Sequence, residues 1–169
     1  MNKSEVLLEQ DRLWSSHYWQ TREVIRDASS NSSCLSVDLA TLYKYVDEQG
    51  VNFGILTKDP QAGKNLGEAL RIHIDIAIKI VTAAIKKQSI TELYKEWEVN
   101  ASNIATIYAR YNRRIRYKKM NILMQEHLNS TLDEAVAIIS NNCADSYEKG
   151  EIALDHVYKM SSYIMSKFI

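Results

Sequence analysis

A chain that reverses direction often needs glycine and proline, and this one has five glycines and one proline in 169 residues. Those residues supply the backbone angles of tight turns, so their scarcity argues against a many-stranded β fold and for long helices. With 46% apolar and 25% charged residues the chain has a globular composition. At this length a chain buries roughly 70% of the surface its unfolded form exposes. No repeat, linker or low-complexity tract interrupts it, so a single helical-bundle domain over residues 1–169 is expected.

Apolar periodicity places the helices. Ser4 is positioned to cap a first helix over about residues 5–28, where Leu7, Trp14, His17, Thr21, Val24 and Ala28 form one stripe. Ser29–Ser33 reads as a loop. A second, shorter helix is predicted from Val37 to Glu48, with Leu39, Leu42, Tyr43 and Val46 inward and Gly50 as its stop. Val51–Leu56 adds one more turn. Asp59 followed by Pro60 is a helix start, a capping carboxylate before a residue whose fixed φ suits the first helical position. The segment it opens runs to about Gln88, with Leu66, Leu70, His73, Ala77, Ile80 and Ala84 inward. Ile72, Ile74, Ile76, Ile78 and Ile80 alternate as in a strand. The alanines at 77, 83 and 84 and the length of the apolar pattern decide for helix.

Ser89–Glu92 has the form of a capping box and opens a helix to about Tyr111, with Trp97, Ala101, Ile104 and Tyr108 as core. A charged helix is expected over 114–127. Thr131–Glu134 resembles a second box and opens a short helix to about Ser140, and a last helix covers 145–168. Long helices with short connections pack side by side. The expected architecture is therefore all-α, an antiparallel bundle of about four long helices with two or three short ones.

Residues of these helices also form a recognisable series. It comprises Leu13-Trp14 with His17 and Thr21-Arg22, then His73 with Ile76-Ala77 and Val81, Ala83 and Ala84. Trp97 with Asn100-Ala101 and Ile104-Ala105 follows, then Met124, His127-Leu128, Thr131 and Glu134-Ala135, and finally His156 with Met160. In this order, from about Leu13 to Phe168, the chain resembles a family of small helical bacterial proteins without established function, some of which carry the label acetylglutamate kinase. An α/β kinase needs a glycine-rich phosphate loop and alternating strands and helices, and this sequence has neither. It departs from the family pattern at Gln20, where tryptophan is usual, at Asn112-Arg113, where Asn-Pro is usual, and at Ser162, where an acid is usual.

Lys+Arg and Asp+Glu number 21 each, so no global field favours nucleic acid or an anionic membrane. Two cysteines, Cys34 and Cys143, make neither a disulfide framework nor a C-x-x-C metal pair. The start MNKSEVLLEQDR lacks the apolar run of a signal peptide, and no stretch of 18 apolar residues occurs. A cytoplasmic or other reducing intracellular location without membrane insertion is expected.

Two features carry chemistry. The four histidines, His17, His73, His127 and His156, fall on four predicted helices, three of them on inner stripes. Neutral imidazoles converging inside a bundle suit zinc, iron or nickel, and all four match histidines of the resembled family. The bland alternative is that each is a hydrogen-bonded core residue, since neither H-E-x-x-H nor Glu-x-x-His is present. The second feature is Arg110–Lys119, where Arg110, Arg113, Arg114, Arg116, Lys118 and Lys119 are interleaved with Tyr111 and Tyr117. Such a segment can neutralise phosphates and stack on bases; its bland alternative is a solvated helix start. The isoleucines around the third helix call for either a central position or a second copy of the chain, a homo-oligomer. No nucleophile–base signature stands out. The expected function is therefore binding or interaction without catalysis. A four-histidine metal or small-ligand site and polyanion binding through residues 110–119 are the two alternatives.

Overall fold

A computed structural model describes residues 3–169, with side chains from residue 4. Six helices follow one another: α1 (Lys3–Ser30), α2 (Leu35–Thr57), α3 (Pro60–Ile85), α4 (Thr91–Tyr111), α5 (Tyr117–Ile139) and α6 (Cys143–Met165). The all-helical class holds. The division into about four long and two or three short helices does not, because each of the six has between 21 and 28 residues.

The structure differs from the sequence expectation at several helix boundaries. Gly50 does not end α2, which runs on to Thr57. Thr131–Glu134 is no capping box but the interior of α5, so the two helices expected over 114–140 are one. Ser89–Glu92 does not close reciprocally either, since α4 starts at Thr91 and Glu92 turns to Lys95 at 2.8 Å. Ser4 lies inside α1, and Ser29 and Ser30 extend that helix. Asp59 does cap α3, accepting from the N–H groups of Gln61 (2.9 Å) and Ala62 (3.4 Å), with Pro60 at the first position. The isoleucine-rich segment is helical throughout.

The chain spends its glycines inside helices, not at turns. The left-handed turn positions are held by Asn31, Lys58, Lys87 and Asn141, all with φ near 55°. Gly50, Gly54, Gly63 and Gly67 lie where α2 meets α3. A methyl group at Gly50 would stand 2.7 Å from the Gly63 carbonyl oxygen, and one at Gly63 2.6 Å from that of Gly50. The helices approach so closely because no side chain separates them.

Hydrogen bonds fix how neighbours run. Between α2 and α3, Tyr43 bonds Asp75 and Asp47 pairs with Arg71, and numbers rise on one helix as they fall on the other. The same inverse order joins Gln20–Asp38 to Gln10–Asn52 between α1 and α2, and Trp97–His73 to Asn65–Tyr111 between α3 and α4. Each helix packs on the next in sequence and α6 returns to α1, closing a ring. Within it the odd helices also touch one another, α1 with α3, α3 with α5 and α1 with α5. The pinch buries α3 on several sides, which places Ile74, Ile76 and Ile80 in the core and leaves Ile72 half exposed. One apolar cluster, from Trp14 through Phe53, Leu70, Ile104 and Met120 to Ile164, draws on all six helices. Among the described residues no helix is long and apolar enough to cross a membrane.

Candidate functional site

The pinch of the odd helices brings together three of the four histidines. His17 comes from α1, His73 from α3 and His127 from α5, all buried. The His127 ring centroid lies 6.0 Å from that of His17 and 5.9 Å from that of His73, the latter pair nearly parallel. His156 is not part of this group. It sits on α6 with its side chain 22% exposed and Nδ1 3.7 Å from a Glu126 carboxylate oxygen. The expectation of four converging imidazoles is thus corrected to three. His156 falls at the outer edge of its helix stripe, where α5 and α6 meet solvent, close enough for its charge to be felt at His127.

The surroundings of His73 set its tautomer. Asn100 on α4 donates its amide N–H to the Ala69 carbonyl (3.1 Å), which turns Oδ1 toward His73 Nδ1 at 3.0 Å. Nδ1 must then carry the proton, and Nε2 of the neutral ring is left with a bare lone pair. Trp97 stacks obliquely on the ring at 5.0 Å and donates its indole N–H to the His73 carbonyl at 3.1 Å. His127 Nδ1 stands 3.5 Å from the Thr131 hydroxyl, one helical turn on. His17 Nδ1 is sealed with no protein partner, as are Nε1 of Trp14 and both amide atoms of Gln49.

Burial holds all three rings neutral. Desolvation pushes His17 down to about 3, with the charge of His73 adding to it. It pushes His73 down to about 4 against the opposing hydrogen bond to Asn100. His127 is driven well below the ordinary imidazole range by burial and then by its neighbours His73, His17 and His156. Neutral rings with free lone pairs are the form in which imidazole binds metals. Yet the rings as they stand do not surround a common point: among the described residues, no group of three or more His, Cys, Asp or Glu is arranged to hold a metal ion.

A second buried polar group lies between α1, α5 and α6. The Glu134 carboxylate accepts from Arg22 Nη1 and from the Tyr18 hydroxyl (3.2 Å). Tyr18 also reaches the Gly150 carbonyl oxygen (2.9 Å), and Arg22 that of Ser146 (3.2 Å). Gly150 leaves room for this group, because a methyl at that position would lie 2.6 Å from Arg22 Nη1 and displace the side chain. Sequence reasoning noted Arg22 and Glu134 but assigned neither a role. Residues 112 apart give no periodic signal of pairing, and a glutamate three places after a threonine imitates a cap.

The basic segment spans the last turn of α4, the connecting loop and the first turn of α5. Arg110, Arg113, Arg114, Arg116, Lys118 and Lys119 are all exposed. Arg110 lies over the Tyr111 ring at 5.5 Å, and Arg114 donates to the Ile169 carbonyl oxygen at 2.8 Å. Cys34 and Cys143 are exposed free thiols. Compared with protein-family models, with curated proteins and with solved structures, the chain finds no match.

Proposed function

We propose that this protein, an antiparallel six-helix bundle, acts by binding and not by catalysis, and that its site is the interior where His17, His73 and His127 meet. The observation that carries this reading is the convergence of three neutral imidazoles from three different helices, one of which has its free nitrogen fixed by Asn100. A hydrogen bond that orients a ring from behind is the usual outer support of a metal-ligating histidine. Polar residues of the proposed family resemblance, from His17 and Arg22 through His73, Trp97, Asn100 and His127 to Thr131 and Glu134, take part in the two buried polar groups. A sequence that keeps so many polar side chains in its core gives up apolar packing there, a cost consistent with a use beyond folding.

The occupant this donor set suits is a divalent transition ion, zinc, iron or nickel, bound at imidazole nitrogen about 2.0–2.2 Å away. The rings must rotate to admit it, since they do not now close around one point. Elemental analysis of the purified protein, and thermal unfolding with added Zn²⁺, Ni²⁺ or Fe²⁺, test this directly. A stoichiometric ion, or a rise in Tm that is lost in His73→Phe, is expected. No bound metal and no shift with any of the three ions would remove the metal reading.

A second reading rests on a separate observation. The six cations of residues 110–119 are exposed, and among the described residues none has an Asp or Glu carboxylate within 4.0 Å, Arg114 turning instead to the main-chain oxygen of Ile169. Such a patch suits a polyanion, most simply nucleic acid. Neutralising Arg113, Arg114 and Arg116 is expected to weaken DNA or RNA binding and flatten its salt dependence. Unchanged affinity across a salt series would sink this reading.

A further inference from the structure

Arg22, held from behind by Glu134, lines a cleft of about 270 Å³ between α1, α5 and α6, together with Trp19, Asn142, Cys143 and Glu151. We infer that this cleft binds a small carboxylate-bearing zwitterion of amino-acid type, independently of the imidazole site. Its volume is below the range of pockets that take drug-sized ligands, so the occupant is small.

Arg22 holds donors that no protein group uses. The residue is 9% exposed, and a guanidinium carries five N–H groups. Both bonds that Arg22 makes leave from Nη1, to Glu134 and to the Ser146 carbonyl. Nε and Nη2 have no protein acceptor, yet they are not among the sealed polar atoms without a partner. They therefore reach solvent, and Arg22 lines the cleft. Nε and Nη2 together form the planar fork that takes a carboxylate bidentately.

The start of α6 lines the same cleft through Asn142 and Cys143. Asn142 satisfies the N–H groups of Asp145, through its side chain at 3.2 Å, and of Ser146, through its carbonyl at 2.9 Å. That leaves the N–H groups of Cys143 and Ala144 as helix-end donors, and Cys143 lines the cleft with Arg22. The charges along the wall then select the kind of anion. Arg26 lines the cleft too, but it is paired with Glu23 at 3.5 Å. Glu151 lines it with no basic partner within 4.0 Å. A dianion such as phosphate would be repelled by Glu151, whereas an ammonium group a few ångströms from the bound carboxylate would be attracted.

The test is titration of the ¹⁵N-labelled protein with glycine, acetate and inorganic phosphate, followed on Arg22 Nε–H and on the Cys143 and Ala144 amides. Glycine is expected to shift these signals saturably and to bind several-fold more tightly than acetate. The variant Cys143→Asp places a carboxylate at an exposed helix start, where it favours the helix dipole and leaves the fold intact. It is expected to weaken glycine binding about tenfold or more with Tm unchanged. Absence of saturable shifts, tighter binding of acetate or phosphate than of glycine, or full affinity in Cys143→Asp would each overturn the proposal. Metal binding at the histidines is read separately, so either site can fail alone.

Discussion

Glu134 sits in the last third of α5 with its side chain 3% exposed, and among the described residues the cation paired with it is Arg22, itself nearly buried. Removing one partner of such a pair strands the other charge in a medium that solvates it poorly. Glu134→Ala is therefore expected to destabilise the fold by about 3–5 kcal/mol, measured by urea denaturation. A loss below about 1 kcal/mol would show that the pair is solvated like a surface bridge. At this scale the sequence was legible where periodicity speaks. The stripes containing His17, His73 and His127 did face inward, because a residue three or four places from other apolar ones shares their face. The stripe could not say that three of these faces meet at one height while His156 stays outside. That depends on helix register and on which helices are pinched together, and both are set by packing.

Elements were harder to bound than to recognise. Asp59 and Pro60 marked the start of α3 correctly because both act through local backbone geometry. Gly50 misled because glycine has two uses, as a left-handed turn residue and as a place where two backbones touch, and only the partner helix decides between them. The two uses are separable by experiment. Gly63→Ala drives a methyl to 2.6 Å from a backbone oxygen that has little room to move, whereas the same methyl at Gly67 stands 3.8 Å from the nearest atom, Gly50 Cα. Gly63→Ala is expected to cost about 1–3 kcal/mol by overpacking. Gly67→Ala is expected to be neutral or stabilising by up to about 1 kcal/mol, since alanine is the better helix former. Equal effects of the two substitutions on the urea midpoint would show that α2 and α3 do not approach as described.

The whole molecule links these parts through protons. The folded bundle keeps its three inner imidazoles neutral, with His17 near 3 and His73 near 4, while in the unfolded chain each titrates around the ordinary 6.5. Between those values the unfolded state binds more protons, so stability is complete above about pH 6.5 and is lost as the pH falls toward 4. Each ring contributes a slope of about 1.4 kcal/mol per pH unit, so the three together approach about 4 kcal/mol per unit. Urea unfolding at pH 7.5, 6 and 5 is expected to show this fall, and a flat profile over that interval would mean that the rings are hydrated. The ring of helices and the meeting of α1, α3 and α5 at its centre were not legible in the sequence. Each helix carries apolar residues on more than one side, which fixes that it is buried but not against what. Inside the pinch, His17, His73 and His127 meet as neutral rings. NMR titration of the imidazole signals from pH 8 to 6, where the bundle stays folded, tests this most directly. The three are expected to hold their neutral shifts throughout, and a protonation midpoint near 6.5 for any of them would contradict it.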